Sequence, residues 1–229
     1  MRYAVLGTGA VGRTIAVKLL SLGHEIVIGT RDPEATLTRT GHDAYGNPPY
    51  REWQAGHPQI RLVPFAEAGA HGTVVVNATA GTASVRVLEA TGAGGLADKV
   101  LIDVANPLVF AAGMPPTLDP VNTDSLGEQI QRALPDTKVV KTLNTVNSQV
   151  MADPARVPGE HNVFVCGNDS GAKAAVTELL RSFGWPGHAV IDLGDITAAR
   201  GAEMMLPMWL RLFDVIGHAD FNFHIQRAR

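Results

Sequence analysis

Three glycines, Gly7, Gly9 and Gly12, stand in the spacing G-x-G-x-x-G within "VLGTGAVGRTIAVKLL". An apolar strand-like run precedes them and an amphipathic helix-like run follows, the context in which this spacing cradles a dinucleotide. Gly7 permits the tight turn, Gly9 lets the backbone approach a pyrophosphate, and Gly12 lets helix and strand pack closely. The free N–H groups at the helix start would face the phosphates, aided by the helix dipole.

About 20 residues further on, "VIGTRDP" (27–33) occupies the place where a nucleotide-binding chain selects its nucleotide. A carboxylate there would hold the ribose hydroxyls of NAD and repel the extra phosphate of NADP. Thr30 and Arg31 offer a hydroxyl and a guanidinium instead, and a guanidinium grips a phosphate through paired charge-assisted hydrogen bonds. Asp32 is the competing carboxylate. "DP" before a helical segment reads as an N-cap followed by proline in the first turn, which turns that side chain toward its own backbone. The expected cofactor is therefore NADP.

The other strand ends read "NATAG" (77–81), "ANPL" (105–108) and "LNTVN" (143–147). In an open α/β sheet, ligands sit beyond the carboxyl ends of the strands. Small residues at Ala78, Thr79 and Ala80 suit backbone passing close to a nucleotide, and Pro107 follows Asn106 in the next segment. Asn77, Asn106, Asn144 and Asn147 could orient a carboxamide or a polar acceptor, or could cap turns where strands end. Asn106 and Asn144 are the cleft-orienting candidates. No histidine, tyrosine–lysine pair or acid–base pair falls in these segments. Asp103 and Lys141 are the nearest ionisable groups, and their position within strands favours a structural role. A site without an evident base suits hydride transfer between two cofactors, where positioning supplies most of the catalysis. The eight histidines lack metal-ligand spacing, so no metal is expected.

The elements that must position these groups are legible as alternating apolar runs. Strands are expected at "YAVLG", "EIVIGT", 60–63, 73–78, 100–105 and 138–143, with helices over 64–70, 82–91 and 125–134. Ser125 and Glu128 form a potential capping box. Residues 31–60 are a long excursion in which Pro48 and Pro49 could open a short helix carrying Trp53 as a packing residue. After a proline-rich boundary at 151–161 come a strand (162–166), a helix (170–183), a strand (188–192) and a last apolar helix from about 197 to 216. The fold class this implies is α/β: a Rossmann-type doubly wound parallel sheet, with residues 1–150 as the NADP-binding domain and 151–229 as a small C-terminal α/β domain.

Composition narrows the function classes. Of 229 residues, 45% are hydrophobic and 18% charged, which supplies a core and excludes disorder. A net charge of −3 argues against nucleic acid as a partner. No apolar run approaches the roughly 20 residues of a membrane span, and the opening residues, which lack a basic region and a long apolar stretch, are not expected to act as a signal peptide. The single cysteine, Cys166, cannot form an internal disulfide and reads as a core residue of a cytoplasmic protein.

The segments "YAVLGTGAVGRTIAVKLLSLGHEIVIGTRDP", "KVLIDVANPL", "KVVKTLNTVNSQVMADP" and "NVFVCGND" together resemble the NADP oxidoreductases dependent on coenzyme F420, over nearly the whole chain. Relatives of that family include the cytoplasmic reductase domains of membrane metalloreductases. The resemblance implies NADPH along the first domain and a deazaflavin, coenzyme F420, stacked on the nicotinamide to receive or return hydride. It places Thr8, Gly9, Ala10, Val11, Thr30, Arg31, Ala78, Ala80, Asn106 and Asn144 at nucleotide- or cleft-facing positions. It further implies a homodimer formed through the C-terminal part, where "EMMLPMWLRLFDVIG" could supply the contact or could pack in the core. Members that use deazaflavin carry a histidine where this chain has Asn144, and the metalloreductase relatives use flavin. Two alternatives stay open beside the deazaflavin reading: an NADPH-dependent reductase of a flavin or small organic acceptor, and a non-catalytic NADPH-binding redox sensor.

Overall fold

In the computed structural model, which describes residues 1–43, 46–111 and 113–228, ten strands form. They are β1 (Arg2–Leu6), β2 (Glu25–Thr30), β3 (Arg61–Pro64), β4 (Val74–Asn77), β5 (Val100–Asp103), β6 (Leu108–Val109), β7 (Thr117–Leu118), β8 (Lys138–Thr142), β9 (Val163–Cys166) and β10 (Val190–Asp192). Strands β6 and β7 pair only with each other. The rest make one sheet in the order β10–β9–β8–β5–β4–β1–β2–β3.

Six of its strands, β3 through β8 in that order, run parallel. Their valine and isoleucine content follows from burial on both faces. Tyr3 and Val5 of β1 point into one apolar layer with Ile15 and Leu19 of the helix Ala10–Ser21. Ala4 and Leu6 point into the other with Val87 and Leu88 of the helix Gly81–Thr91 and Ile130 of the helix Leu126–Ala133. Each of the valine, leucine and isoleucine side chains among these stabilises the fold by about 1.5–3 kcal/mol on burial. This is the doubly wound arrangement that the alternation of strands and helices predicts.

Beyond β8 the sheet changes direction. β9 pairs antiparallel to β8, with Lys141 opposite Cys166, and β10 runs parallel to β9. The helix Ser170–Phe183 between them is capped by Asp169, whose carboxylate accepts from Ala172 N–H at 2.7 Å, and ends at Gly184 in the left-handed region. The C-terminal segment therefore lengthens the same sheet and shares its core, with Val163, Val165 and Trp185 in the layer that holds Val5.

The last helix expected from about 197 to 216 is instead a 3-10 turn (Ile196–Ala198) and two helices, Ala199–Met204 and Leu206–Ile216. Pro207 accounts for the break, since it has no N–H to continue the first helix and restricts the residue before it. Among the described residues no helix is long and apolar enough to cross a membrane.

Candidate functional site

A cavity of about 1120 Å³ opens at the carboxyl ends of β1, β4, β5 and β8. Its walls bring together Gly9, Ala10 and Val11 of the glycine loop, Ala78 to Gly81 after β4, Ala105 and Asn106 after β5, and Asn144 to Ser148 after β8. Single ligands occupy roughly 300–1,000 Å³, so this space exceeds what one nicotinamide end requires.

The glycine loop has the build that a pyrophosphate needs. Gly7 has φ of +118°, which few other residues adopt, and a Cβ there would collide with the Ala78 carbonyl. A Cβ on Gly12 would strike the Gly7 carbonyl, so the helix can sit on the turn only without one. At Gly9 a Cβ would meet nothing within 4 Å, and the space beside that backbone is open. Gly9 is also the N-cap of the helix Ala10–Ser21, with no side chain capping it and no acid in its first turn. The helix start keeps its positive end for a ligand.

The residues that the sequence offers for nucleotide selection occupy the end of β2, outside the lining of this cavity. Arg31 is exposed, directly beyond Thr30. Asp32 caps the helix Pro33–Thr38, its carboxylate accepting from Ala35 N–H at 3.0 Å, as the "DP" reading anticipates. Thr30 behaves differently from that reading. Its hydroxyl lies 2.9 Å from the Thr36 hydroxyl, which itself donates to the Asp32 carbonyl at 2.8 Å. Both hydroxyls are buried, so Thr30 is tied to the following helix through Thr36 rather than turned outward toward a phosphate. Thr30 orders the strand end, and Arg31 carries the charge.

Asn77 is fully buried, which withdraws it from ligand contact. Its amide donates to Asp103 Oδ1 at 2.8 Å and accepts from the Thr79 hydroxyl at 2.7 Å. Pro107 is buried as well. Asn106 and Asn144 do meet in the cavity. Asn144 Nδ2 donates to Asn106 Oδ1 at 3.0 Å and to the Ala202 carbonyl at 3.1 Å, while Asn106 Nδ2 donates to the Asn144 carbonyl at 2.8 Å. Both Asn144 amide protons are spent. Its Oδ1 and the second Asn106 N–H are what remains for a ligand.

Below these segments lies a charged cluster that sequence reading assigns only in part. Lys141 Nζ sits 2.8 Å from Asp103 Oδ2, 2.7 Å from Glu203 Oε1 and 2.6 Å from the Ala105 carbonyl, with all three side chains buried. Burial opposes the charge on Lys141, but Asp103 and Glu203 outweigh it, and the ammonium pKa is raised. Burial likewise raises the Glu203 carboxyl, against the pull of Lys141. Glu203 also accepts from Leu126 and Gly127 N–H at 2.9 and 3.0 Å, capping the helix Leu126–Ala133 beside Ser125. Ser125 takes the Glu128 N–H as a capping box requires, whereas the Glu128 carboxylate reaches the Ser125 hydroxyl and Arg200.

Two further walls escape the motifs. Arg13 donates to the Thr8 carbonyl at 2.8 Å and the Pro48 carbonyl at 2.7 Å, with its guanidinium over the Tyr50 and Trp53 rings. This pins the excursion to the glycine loop, so that Trp53 both packs and lines the cavity. A cation in the first turn of a helix opposes the dipole, a sequence signal that Arg13 must have a tertiary partner. Leu206 and Trp209 close the far side. Among the described lining residues the charged side chains are Arg13, Lys18, Asp43 and Asp153, and none stands on a strand-end segment.

Comparison with known proteins agrees with this layout. Residues 2–107 match the family model described as NADP oxidoreductase, coenzyme F420-dependent. A crystal structure from Arthrobacter sp. FB24, provisionally described as an F420-dependent NADP-reductase, is 58% identical and covers 99% of this chain and 100% of its own, with a TM-score of 0.93. Metalloreductase STEAP3 of Rattus norvegicus is 26% identical over 91% of this chain, which spans 38% of that protein's length. A hypothetical protein from Sinorhizobium meliloti, 22% identical with a TM-score of 0.66 and 87% of each chain covered, shares the fold.

Proposed function

The chain belongs to the coenzyme F420-dependent NADP oxidoreductases, and from that premise we propose that it passes hydride between NADPH and a deazaflavin of the F420 kind. The observation that carries this reading is one cavity that joins an open glycine loop to strand-end segments whose lining side chains carry no charge. NADPH supplies the hydride when bound, and the protein's part is to hold two rings face to face.

The backbone of Gly9, Ala10 and Val11 takes the pyrophosphate, shaped by Gly7, Thr8 and Gly12. Arg31 takes the additional phosphate of NADP. Ala78, Thr79 and Ala80 form a flat wall for the nicotinamide, and Asn77 supports that wall from below through Thr79. Asn106 and Asn144, locked to each other, present one N–H and one carbonyl oxygen to the carboxamide or the acceptor. Residues 1–150 bind the nucleotide, and the segment after 150 closes the acceptor side through Leu206 and Trp209.

The helix Leu206–Ile216 leaves Met208, Phe213, Val215 and Ile216 exposed, with Val215 84% accessible. Such an apolar face suits a second copy of the chain, so the working form is a homodimer. A lone cysteine buried in β9 fits a cytoplasmic setting, with a small-molecule acceptor rather than nucleic acid or membrane as partner.

Mixing the pure protein with NADPH and coenzyme F420, then with NADPH and a flavin, tests the reading. Nicotinamide absorbance should fall with the deazaflavin. Loss with flavin alone assigns the protein as a flavin reductase, and tight NADPH binding without oxidation by either acceptor assigns it as a sensor.

A further inference from the structure

The cluster beneath the cleft has an odd charge count. Asp103 Oδ1 accepts from Asn77 Nδ2 at 2.8 Å and Ala105 N–H at 3.2 Å, and its Oδ2 accepts from Lys141. Glu203 Oε1 accepts from Gly127 N–H and Lys141, and its Oε2 from Leu126 N–H. Every one of these partners is a donor. A protonated carboxyl would have to aim its O–H at a donor, so the hydrogen bonding selects both carboxylates and the ammonium together. Their sum is one uncompensated negative charge in a region closed to water, attenuated by the positive end of the helix Leu126–Ala133.

That charge lies directly under the segments that face the ligand. Lys141 holds the Ala105 carbonyl, Asp103 holds Asn77 and with it Thr79, and Glu203 follows Ala202, whose carbonyl tethers Asn144. Conversion of NADPH to NADP+ changes the nicotinamide from neutral to positively charged, and a fixed anion below the ring acts differently on the two forms.

We infer that Asp103, Lys141 and Glu203 form an anionic floor that favours the oxidised, positively charged nicotinamide over the reduced one, and so makes bound NADPH a stronger hydride donor. The inference rests on the NADP reading above. These three side chains are positioning residues that act through the strand ends and through their field. A merely structural cluster, if weakened, would loosen both nucleotide forms alike. Only a charge effect changes their ratio.

Calorimetric titration of the native protein and of Glu203→Gln, Asp103→Asn and Glu203→Asp with NADP+ and with NADPH tests this, with thermal melting to confirm folding. One unit charge acting across a layer of protein is worth about tenfold in binding. The ratio Kd(NADP+)/Kd(NADPH) should rise by about that factor in the two carboxamide variants. In Glu203→Asp, which keeps the charge, it should stay within about twofold of native. An unchanged ratio in folded Glu203→Gln and Asp103→Asn overturns the inference. Should neither fold, the native protein decides: NADP+ bound at least as tightly as NADPH upholds the floor, and NADPH bound about tenfold tighter overturns it. Failure of the native protein to bind either nucleotide would defeat the NADP reading instead.

Discussion

Replacing Gly81 by alanine sets two known effects against each other. Gly81 opens the helix Gly81–Thr91, where alanine gains up to about 1 kcal/mol of helix propensity over glycine. Its Cβ, however, would overlap the Asn106 carbonyl oxygen and lie 2.6 Å from the Asn106 carbonyl carbon and 2.9 Å from Pro107 Cα. All three are backbone atoms, so no rotamer change relieves the clash. Overpacking of this kind costs about 1–3 kcal/mol, and contact with main chain puts it at the upper end. The net effect is a loss of about 1–2 kcal/mol, a fall in Tm of roughly 2–8 °C for a chain of this size. Relief requires the segment after β5 to move outward, which breaks the Asn106–Asn144 pair. Hydride transfer should therefore slow at least about tenfold, beyond what the stability loss explains. Gly9→Ala is the informative contrast, because its Cβ meets nothing in the protein. Its Tm should stay at the native value while NADPH binding falls. A Gly81→Ala protein that melts at or above the native temperature with unaltered turnover would refute the reasoning.

Arg31→Ala should raise Kd for NADPH at least about tenfold through loss of charge-assisted hydrogen bonds, with NADH binding nearly unchanged in fluorescence titration. Thr30→Val, by contrast, should cost about 1 kcal/mol in urea unfolding through the lost bond to Thr36 and shift the NADPH-over-NADH preference less than about threefold. Burial pushes the Cys166 thiol up to about 12. Iodoacetamide at mildly alkaline pH should leave it unmodified in native protein and alkylate it fully in denaturant, as mass spectrometry would report.

What could be read in advance was local. The G-x-G-x-x-G turn, the Asp32 cap and the Ser125 cap each depend on residues within a few positions, and each appears where its spacing implies. The eight strands of the large sheet were legible because burial on both faces demands mostly apolar runs, whereas the two-residue β6 and β7 are too short to show a pattern. Thr30 misled because its partner, Thr36, lies one helical turn inside the following helix, and the contact buries the hydroxyl. Asn77 misled for a related reason: a strand-end asparagine looks the same whether its amide faces solvent or a buried carboxylate on the neighbouring strand. Glu203 escaped entirely. Nothing in "ARGAEMM" distinguishes a surface glutamate from one folded inward onto Lys141, and only the packing of the helices Ala199–Met204 and Leu126–Ala133 makes the difference.

The distribution of charge around the cleft has a consequence for the chemistry. General acid or base catalysis needs an ionisable group within hydrogen-bond reach of the reacting atom, and the strand-end walls offer amides, methyl groups and hydroxyls. Their nearest charges are buried one layer below and hydrogen-bonded at every oxygen, so they can exert a field without exchanging a proton. Transfer of a hydride between two rings asks for that combination: fixed geometry above, fixed potential beneath, and no proton relay between. An alcohol as the second substrate would need a base to take its hydroxyl proton. A deazaflavin can take its balancing proton from water at the open edge of the cavity, which makes it the better match to these walls.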